Sequence, residues 1–136
     1  KNMKNKNYSN INLSNYYFAL MTKFKSITYW ILTVIISLAI AAHGLLIFIS
    51  GAKLASVFAG WGYAPWFMYF IGIAEIVGAT GLYVQRTSQA ARICLSVIMA
   101  GAVTTHLFHG EFQMAPASAV LLILLLITLY LKKEQK

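Results

Sequence analysis

Four long apolar runs, almost free of charged residues, constrain this chain more than any other feature of its sequence. The first run, residues 27–50, carries no charge. As a helix it would be about 36 Å long, which is enough to cross the roughly 30 Å hydrocarbon core of a bilayer. Only 10% of all residues are charged, against about 25% in an ordinary soluble domain. The bilayer is therefore predicted to be the main solvent of this chain.

The runs have the length of membrane-spanning helices and not of barrel strands. They lie near 27–50, 66–84, 90–109 and 115–131, and none alternates strictly between polar and apolar residues. Strands of a membrane barrel would be about 9–11 residues long and would alternate. Short connections favour antiparallel packing of neighbouring helices. The predicted fold is an all-α integral membrane four-helix bundle with antiparallel up-down topology.

The division of the chain follows from these runs. Residues 26–132 are predicted to form the four-helix membrane domain. Residues 1–25 are a polar tail, rich in Asn and Lys, which is expected to be disordered or to lie at the membrane interface. Residues 133–136 are a short basic tail. Met21 stands just before the first run and resembles a translation start, so the residues before it are expected to be dispensable.

The positive charge is distributed very unevenly between the two predicted sides. Of the eleven Lys and Arg residues, ten fall in the two tails and the turn near 85–92, and Lys53 alone falls on the opposite side. Positively charged flanks stay in the cytoplasm, so both termini are predicted to be cytoplasmic. Arg86 and Arg92 are expected to anchor helix ends at this interface. The expected partner is the lipid bilayer, and no nucleic acid is expected because no soluble basic patch is present.

Glu75 is the most informative polar residue within the runs. A carboxylate in a spanning helix is costly, and it usually faces a bundle interior or a cavity. By helical rise, Glu75 lies about 13 Å and His43 about 10 Å from the outer ends of their helices. His106 is near the outer end of the third run, and Lys53 is close enough to snorkel inward. These residues are the candidates for ligand binding or proton relay, and the first three are predicted to share one layer.

Several interpretations of this polar layer stay open. Glu75 bonded to a histidine or a lysine would fix the register of the helices and do nothing else. The same groups could donate hydrogen bonds to the carbonyl of a quinone or another redox ligand and relay its protons. They could also line a path for protons or small solutes. Two histidines and a carboxylate suit zinc or iron, but they lack the spacing of a local motif, and no metal is expected.

The single cysteine, Cys94, limits the redox chemistry that the chain can carry out alone. One thiol cannot form an internal disulfide or a C-x-x-C pair. This excludes the paired-thiol chemistry of the vitamin K epoxide reductase type. Cys94 is expected to be a buried, small apolar residue.

Several short motifs resemble the DoxX-like family of small membrane proteins. They are His43-Gly44, Gly51-Ala52-Lys53-Leu54, Phe58-Ala59-Gly60-Trp61-Gly62-Tyr63 and Gly72-Ile73-Ala74-Glu75-Ile76-Val77-Gly78. The resemblance implies a four-helix membrane protein, and it places Lys53 and Glu75 at motif positions. Founding members are associated with a thiosulfate:quinone oxidoreductase, and others with oxidative-stress or respiratory settings.

The resemblance therefore implies a subunit or accessory of a quinone-linked membrane redox system, working with a redox partner subunit. Quinone is the ligand or cofactor that this role implies, and no catalytic residue is assigned. Two alternatives of other classes remain. One is a structural or partner-binding membrane subunit without catalysis, and the other is a transporter of protons or small solutes.

Overall fold

The chain is built almost entirely of α-helix. The computed structural model describes the backbone of residues 3–134 and the side chains of residues 13–132. Its helices are α1 (Met3–Ile49), α2 (Gly51–Gly60), α3 (Pro65–Gly81), α4 (Ser88–Phe108) and α5 (Ala115–Glu134). Within residues 3–134 there is no strand. The predicted all-α class is therefore confirmed.

Three helices are long and apolar enough to cross a membrane: α1, α4 and α5. Helix α3 has 17 residues and would be about 25 Å long, a little short of the hydrocarbon core. It follows α2 after a sharp bend of 117°. The described chain thus has three candidate spans, or four if α2 and α3 together form one broken span.

Helix α2 is the element that the sequence did not predict. Residues 51–60 were expected to be part of a connection, because glycines and a proline frame them. In the structure these glycines mark the two ends of a ten-residue helix. Gly62 then adopts a φ of 85°, which L-residues rarely take. Glycine at this position lets the chain turn sharply from α2 into α3.

Helix α1 begins much earlier than the first apolar run. Its backbone is helical from Met3, so the helix runs through most of the segment that was expected to be disordered or to lie at the membrane interface. Extending an existing helix is far easier than starting one, and the apolar run supplies the stable part. The 47 residues of α1 would be about 70 Å long, so much of the helix extends beyond a bilayer core. The side chains of residues 133–136 lie outside the described part of the chain.

Small residues bring α1 and α3 into close contact. A Cβ added to Gly44 would lie 2.9 Å from the backbone oxygen of Gly72, which leaves no room for a side chain. Just beyond the end of α3, the hydroxyl of Tyr83 lies 2.5 Å from that of Ser37 on α1. Small residues allow membrane helices to approach in this way. Helix α1 packs most extensively against α3, and α4 against α5.

The buried apolar core lies toward one end of the bundle. It consists of Ile36, Ile40, Ala79, Leu82, Leu95, Met99 and Leu125. Arg92 lies beside this core, and we call this end of the bundle the arginine end. The opposite end carries Glu75 and a large cavity, and we call it the cavity end.

Arg92 is fully buried, with 0% of its surface exposed. Its Nε donates to Thr128 Oγ1 at 3.2 Å, and its Nη1 donates to the Ser88 carbonyl at 2.9 Å. Its Nη2 donates to the Tyr29 hydroxyl at 2.6 Å and to Thr33 Oγ1 at 3.1 Å. The expectation of an interfacial anchor is therefore wrong for Arg92. Neighbouring helices supply enough oxygen acceptors to hold the guanidinium inside the bundle.

Cys94 also departs from its expected place. It is exposed on α4, although it was predicted to be buried. It lies two positions after the buried Arg92, so the helical repeat directs it away from the bundle.

Candidate functional site

A cavity of about 540 Å³ lies at the cavity end, between α1, α2, α3 and α4. Most of its lining is aliphatic or aromatic, and its polar side chains include His43, Tyr63, Glu75, Thr104, Thr105 and His106. Binding sites for small molecules commonly have volumes of about 300–1,000 Å³ and a few polar groups within an apolar lining. This cavity has both properties.

His43 and Glu75 form a hydrogen-bonded pair in the cavity lining. His43 Nδ1 lies 2.7 Å from Glu75 Oε2. The Glu75 side chain is 1% exposed, whereas that of His43 is 57% exposed. The pair is possible because Gly44 and Gly72 bring the two backbones together. The predicted juxtaposition of His43 and Glu75 is thus found in the structure.

This pair has a definite chemical capacity. With Nδ1–H donating to the carboxylate, the Nε2 atom of His43 is left for another molecule. Neutral imidazole accepts a hydrogen bond at Nε2, and imidazolium donates one. The buried carboxylate of Glu75 orients the ring and stabilises its protonated form. The pair can therefore bind either a carbonyl or a hydroxyl group of a ligand. It can also give a proton to that group or take one from it.

His106 lines the same cavity but forms a separate pair. Its Nδ1 lies 2.9 Å from Glu111 Oε2, so it shares the cavity with His43 and Glu75 but bonds to a different carboxylate. The Trp61 ring stands edge-on to His106, with 5.5 Å between the ring centroids. Nearby, the hydroxyls of Tyr63 and Thr105 are 3.1 Å apart. These contacts join the α2–α3 turn to α4 across one side of the cavity.

Lys53 is not part of this arrangement. It lies exposed on α2 and does not belong to the cavity lining. In contrast, α2 contributes Leu54 and Phe58 to the lining. Since α2 was not expected to be a helix, its apolar face could not be predicted.

Glu111 is the acidic residue that the sequence reasoning left out of the site. It comes five residues after His106 and follows the end of α4. Gly110, with a φ of 73°, reverses the chain between them. A glycine directly after a helix is a recognised signal for such a reversal. It could have indicated that Glu111 turns back toward His106.

The two histidine–carboxylate pairs do not form a metal site. Among the residues whose side chains are described, no three His, Cys, Asp or Glu residues come together in a way that could hold a metal ion. The His43–Glu75 and His106–Glu111 pairs can form hydrogen bonds and transfer protons at the cavity.

Comparison with known proteins bears on the whole helical region. No curated protein and no solved structure matches the chain. A sequence model of the DoxX-like family matches residues 31–128. The match includes both histidine–carboxylate pairs and every residue of the cavity lining. Because it spans most of the chain, the chain belongs to the DoxX-like family.

Proposed function

We propose that this protein binds a quinone or a chemically similar small ligand within the membrane, as a subunit or accessory of a redox system. The observation that carries the proposal is the position of the His43–Glu75 pair. It presents a proton-exchanging group to a cavity whose lining is mostly aliphatic and aromatic. A flat ring with a carbonyl or hydroxyl group matches both parts of this lining.

The proposed role of His43 is to bind the oxygen of the ligand and to exchange its proton. Reduction of a quinone to a hydroquinone takes up two electrons and two protons. In the proposal, a redox partner subunit supplies both electrons, His43 delivers one proton to one ring oxygen, and water supplies the second proton to the other; in the reverse reaction His43 and water accept them. Glu75 positions His43 and balances its positive charge.

The proposal includes a topology. Four crossings of a bacterial inner membrane, with α2 and α3 as one broken span, put both termini in the cytoplasm, and residues 26–132 form the membrane domain. Contacts between α1 and α3 support antiparallel packing: Ser37 lies against Tyr83, and the later Gly44 lies against the earlier Gly72. The uneven positive charge supports the orientation. The cavity end then faces the outer half of the bilayer.

Fluorescence provides a direct test. The chain has three tryptophans, and Trp61 lines the cavity whereas Trp30 and Trp66 do not. Replacing the latter two by Phe leaves Trp61 as the reporter, and purified protein in lipid nanodiscs is titrated with a tailless benzoquinone. We expect saturable quenching.

Glu75→Gln keeps an oxygen acceptor for His43 but removes the charge. It should weaken binding about tenfold, the effect of one lost charge-assisted hydrogen bond.

The matched control is Thr80→Val on the same helix. Thr80 is exposed and bonds to its own helix backbone, at Ile76 and Val77, so this change should leave quenching unaltered. His43→Gln provides a second test at a half-exposed position, where folding should tolerate the change. Absence of saturable quenching in the parent protein would contradict the proposal. So would unchanged binding in both site variants, with only the melting temperature lowered, because the pair would then serve only to fix the helices.

A further inference from the structure

The cavity has an opening in the side of the bundle, between α3 and α4. Several residues belong both to the cavity lining and to the outer surface of the protein. Val97 is 67% exposed and Phe70 is 58% exposed, and Gly101 and Thr104 are exposed as well. The residues on α4 follow one another at spacings of four and three, so they lie on one helix face. The cavity therefore continues to the surface along this face.

Contacts at both ends limit the length of this opening, and we call it the window. Toward the arginine end, Gly78 packs against Leu95, and a Cβ on Gly78 would lie 2.6 Å from a Leu95 methyl group. Toward the opposite end, the Tyr63 hydroxyl bonds to Thr105 at 3.1 Å. From Leu95 to Thr105 the helical rise is about 15 Å. Between these two contacts, Phe67 and Phe70 on α3 line the cavity.

The window lies along a candidate membrane-spanning helix. Its α4 side lies entirely within Ser88–Phe108, a helix long and apolar enough to span a membrane. Gly101 is near the middle of the window, and a Cβ added there would meet no atom within 4 Å. Water is not stable beside apolar side chains within a membrane, so the window suits an aliphatic chain.

We propose that this window, framed by Phe70, Val97 and Gly101, holds the aliphatic tail of the bound ligand. The inference rests on the proposed function, because it assumes that a polar ring occupies the His43–Glu75 end of the cavity. It adds that the natural ligand is a long-tailed lipid-like molecule. Such a ligand reaches the site sideways from the bilayer, and its tail stays in the lipid.

The test compares two ligands in two variants. One ligand is a tailless benzoquinone, and the other is the same ring with a decyl chain. Gly101→Phe fills the window from a position with free space, so the fold should persist. Ile93→Phe is the control, since Ile93 is 48% exposed on α4 and lies outside the cavity lining. Binding is measured by quenching in nanodiscs of one lipid composition, so that partition of the decyl compound into lipid is the same for all variants.

We expect G101F to weaken binding of the decyl compound about tenfold, equivalent to losing contact with about two methylene groups. Binding of the tailless ring should change by less than about twofold, and I93F should change neither. Equal weakening of both ligands, or no weakening of either, would overturn the tail subsite while leaving the proposed function intact. Failure of the parent protein to bind either ring would instead overturn the proposed function. Unchanged decyl binding accompanied by a co-purifying phospholipid would assign the window to a lipid acyl chain.

Discussion

Arg92 shows how much a single residue can depend on its neighbours in this bundle. Its guanidinium is fully buried, and its hydrogen-bond partners Tyr29, Thr33, Ser88 and Thr128 are all neutral. These partners come from α1, α4 and α5. A buried charge without its hydrogen bonds is strongly destabilising. The arginine therefore ties three helices together at the end where the core is densest.

Replacing Arg92 by Lys should destabilise the fold although the charge is kept. An ammonium cannot reproduce the planar fork of the guanidinium, so several of the four hydrogen bonds are lost. We expect the free energy of unfolding to fall by about 2–4 kcal/mol, as measured by denaturant titration in detergent micelles. Arg86→Lys is the matched control at an exposed position of the α3–α4 turn, and it should have almost no effect. Equal stability of the two variants would show that the buried hydrogen bonds contribute little.

The contrast between Glu75 and Arg92 explains what could be predicted at the residue scale. Glu75 is isolated in a long apolar run, so its cost in lipid alone points to a buried partner. Arg92 lies next to a polar turn, and Ser96 follows it by four residues. A basic residue in such a place is ordinarily expected at the membrane interface. Its burial depends on hydroxyls from helices distant in the sequence. Hydrogen-bond partners on distant helices leave no periodic pattern in a single sequence, so the burial of Arg92 could not be predicted from it.

At the scale of elements, the glycines mark different kinds of contact between helices. At some of them the neighbouring helix approaches with its backbone, and at others with a side chain. The atom nearest to a Cβ on Gly44 is the backbone oxygen of Gly72, at 2.9 Å. The atom nearest to a Cβ on Gly78 is a methyl group of Leu95, which can rotate away. Gly60 has no neighbour within 4 Å. The three sites form a graded series within one protein.

We therefore expect different effects when each of these glycines is replaced by Ala. Gly44→Ala should destabilise the fold by about 1–3 kcal/mol, because α1 and α3 must move apart. It should also weaken ligand binding, since His43 and Glu75 lie at the same contact. Gly78→Ala should have a smaller effect, and Gly60→Ala should be neutral or stabilising by up to about 1 kcal/mol. Thermal unfolding in micelles measures the order, and a Gly60 variant as unstable as the Gly44 variant would contradict it.

The first part of α1 is expected to contribute little to the bundle. Tyr16, Tyr17 and Phe18 are each more than half exposed, at 62%, 62% and 75%. A chain that begins at Met21 still keeps 29 residues of α1, or about 43 Å of helix, which is ample for one crossing. Its melting temperature should lie within about 2 °C of the full chain, because few packing contacts are lost. A larger decrease, with the same lipid and detergent, would show that the segment packs on the bundle.

At the scale of the whole molecule, one end of the bundle is filled and the other is open. The arginine end combines small residues on α3 with the buried apolar core, so α4 packs directly against α3. At the cavity end, the same helices flank the cavity, which Phe67 and Phe70 help to line. The apolar runs predicted the helices because lipid imposes a simple length rule. They could not predict where the helices diverge, since this depends on which side chains meet across two helices.

The number of crossings is the last property of the whole molecule that an experiment should decide. Positive charge favours four crossings. With α2 and α3 as one span, ten of the eleven Lys and Arg residues lie on the cytoplasmic side. If α2 and α3 only dip into the membrane and return, the two sides carry five and six, which gives no bias. In that arrangement α4 would also run opposite to α1, whereas Arg92 bonds to Tyr29 at one end of the two helices and His106 shares the cavity with His43 at the other. The two arrangements place the α3–α4 turn on opposite sides.

Single cysteines at Gln85 and Gln113, in a chain with Cys94→Ala, distinguish the two arrangements. Both positions are exposed, and a membrane-impermeant maleimide is added to intact spheroplasts or to lysed membranes. With four crossings, Gln113→Cys should react in intact spheroplasts and Gln85→Cys only after lysis. The reverse pattern would show three crossings and would put the C-terminal basic residues outside, against the positive-inside rule. The four-crossing result would orient the cavity toward the outer half of the bilayer, where the proposed ligand has to approach.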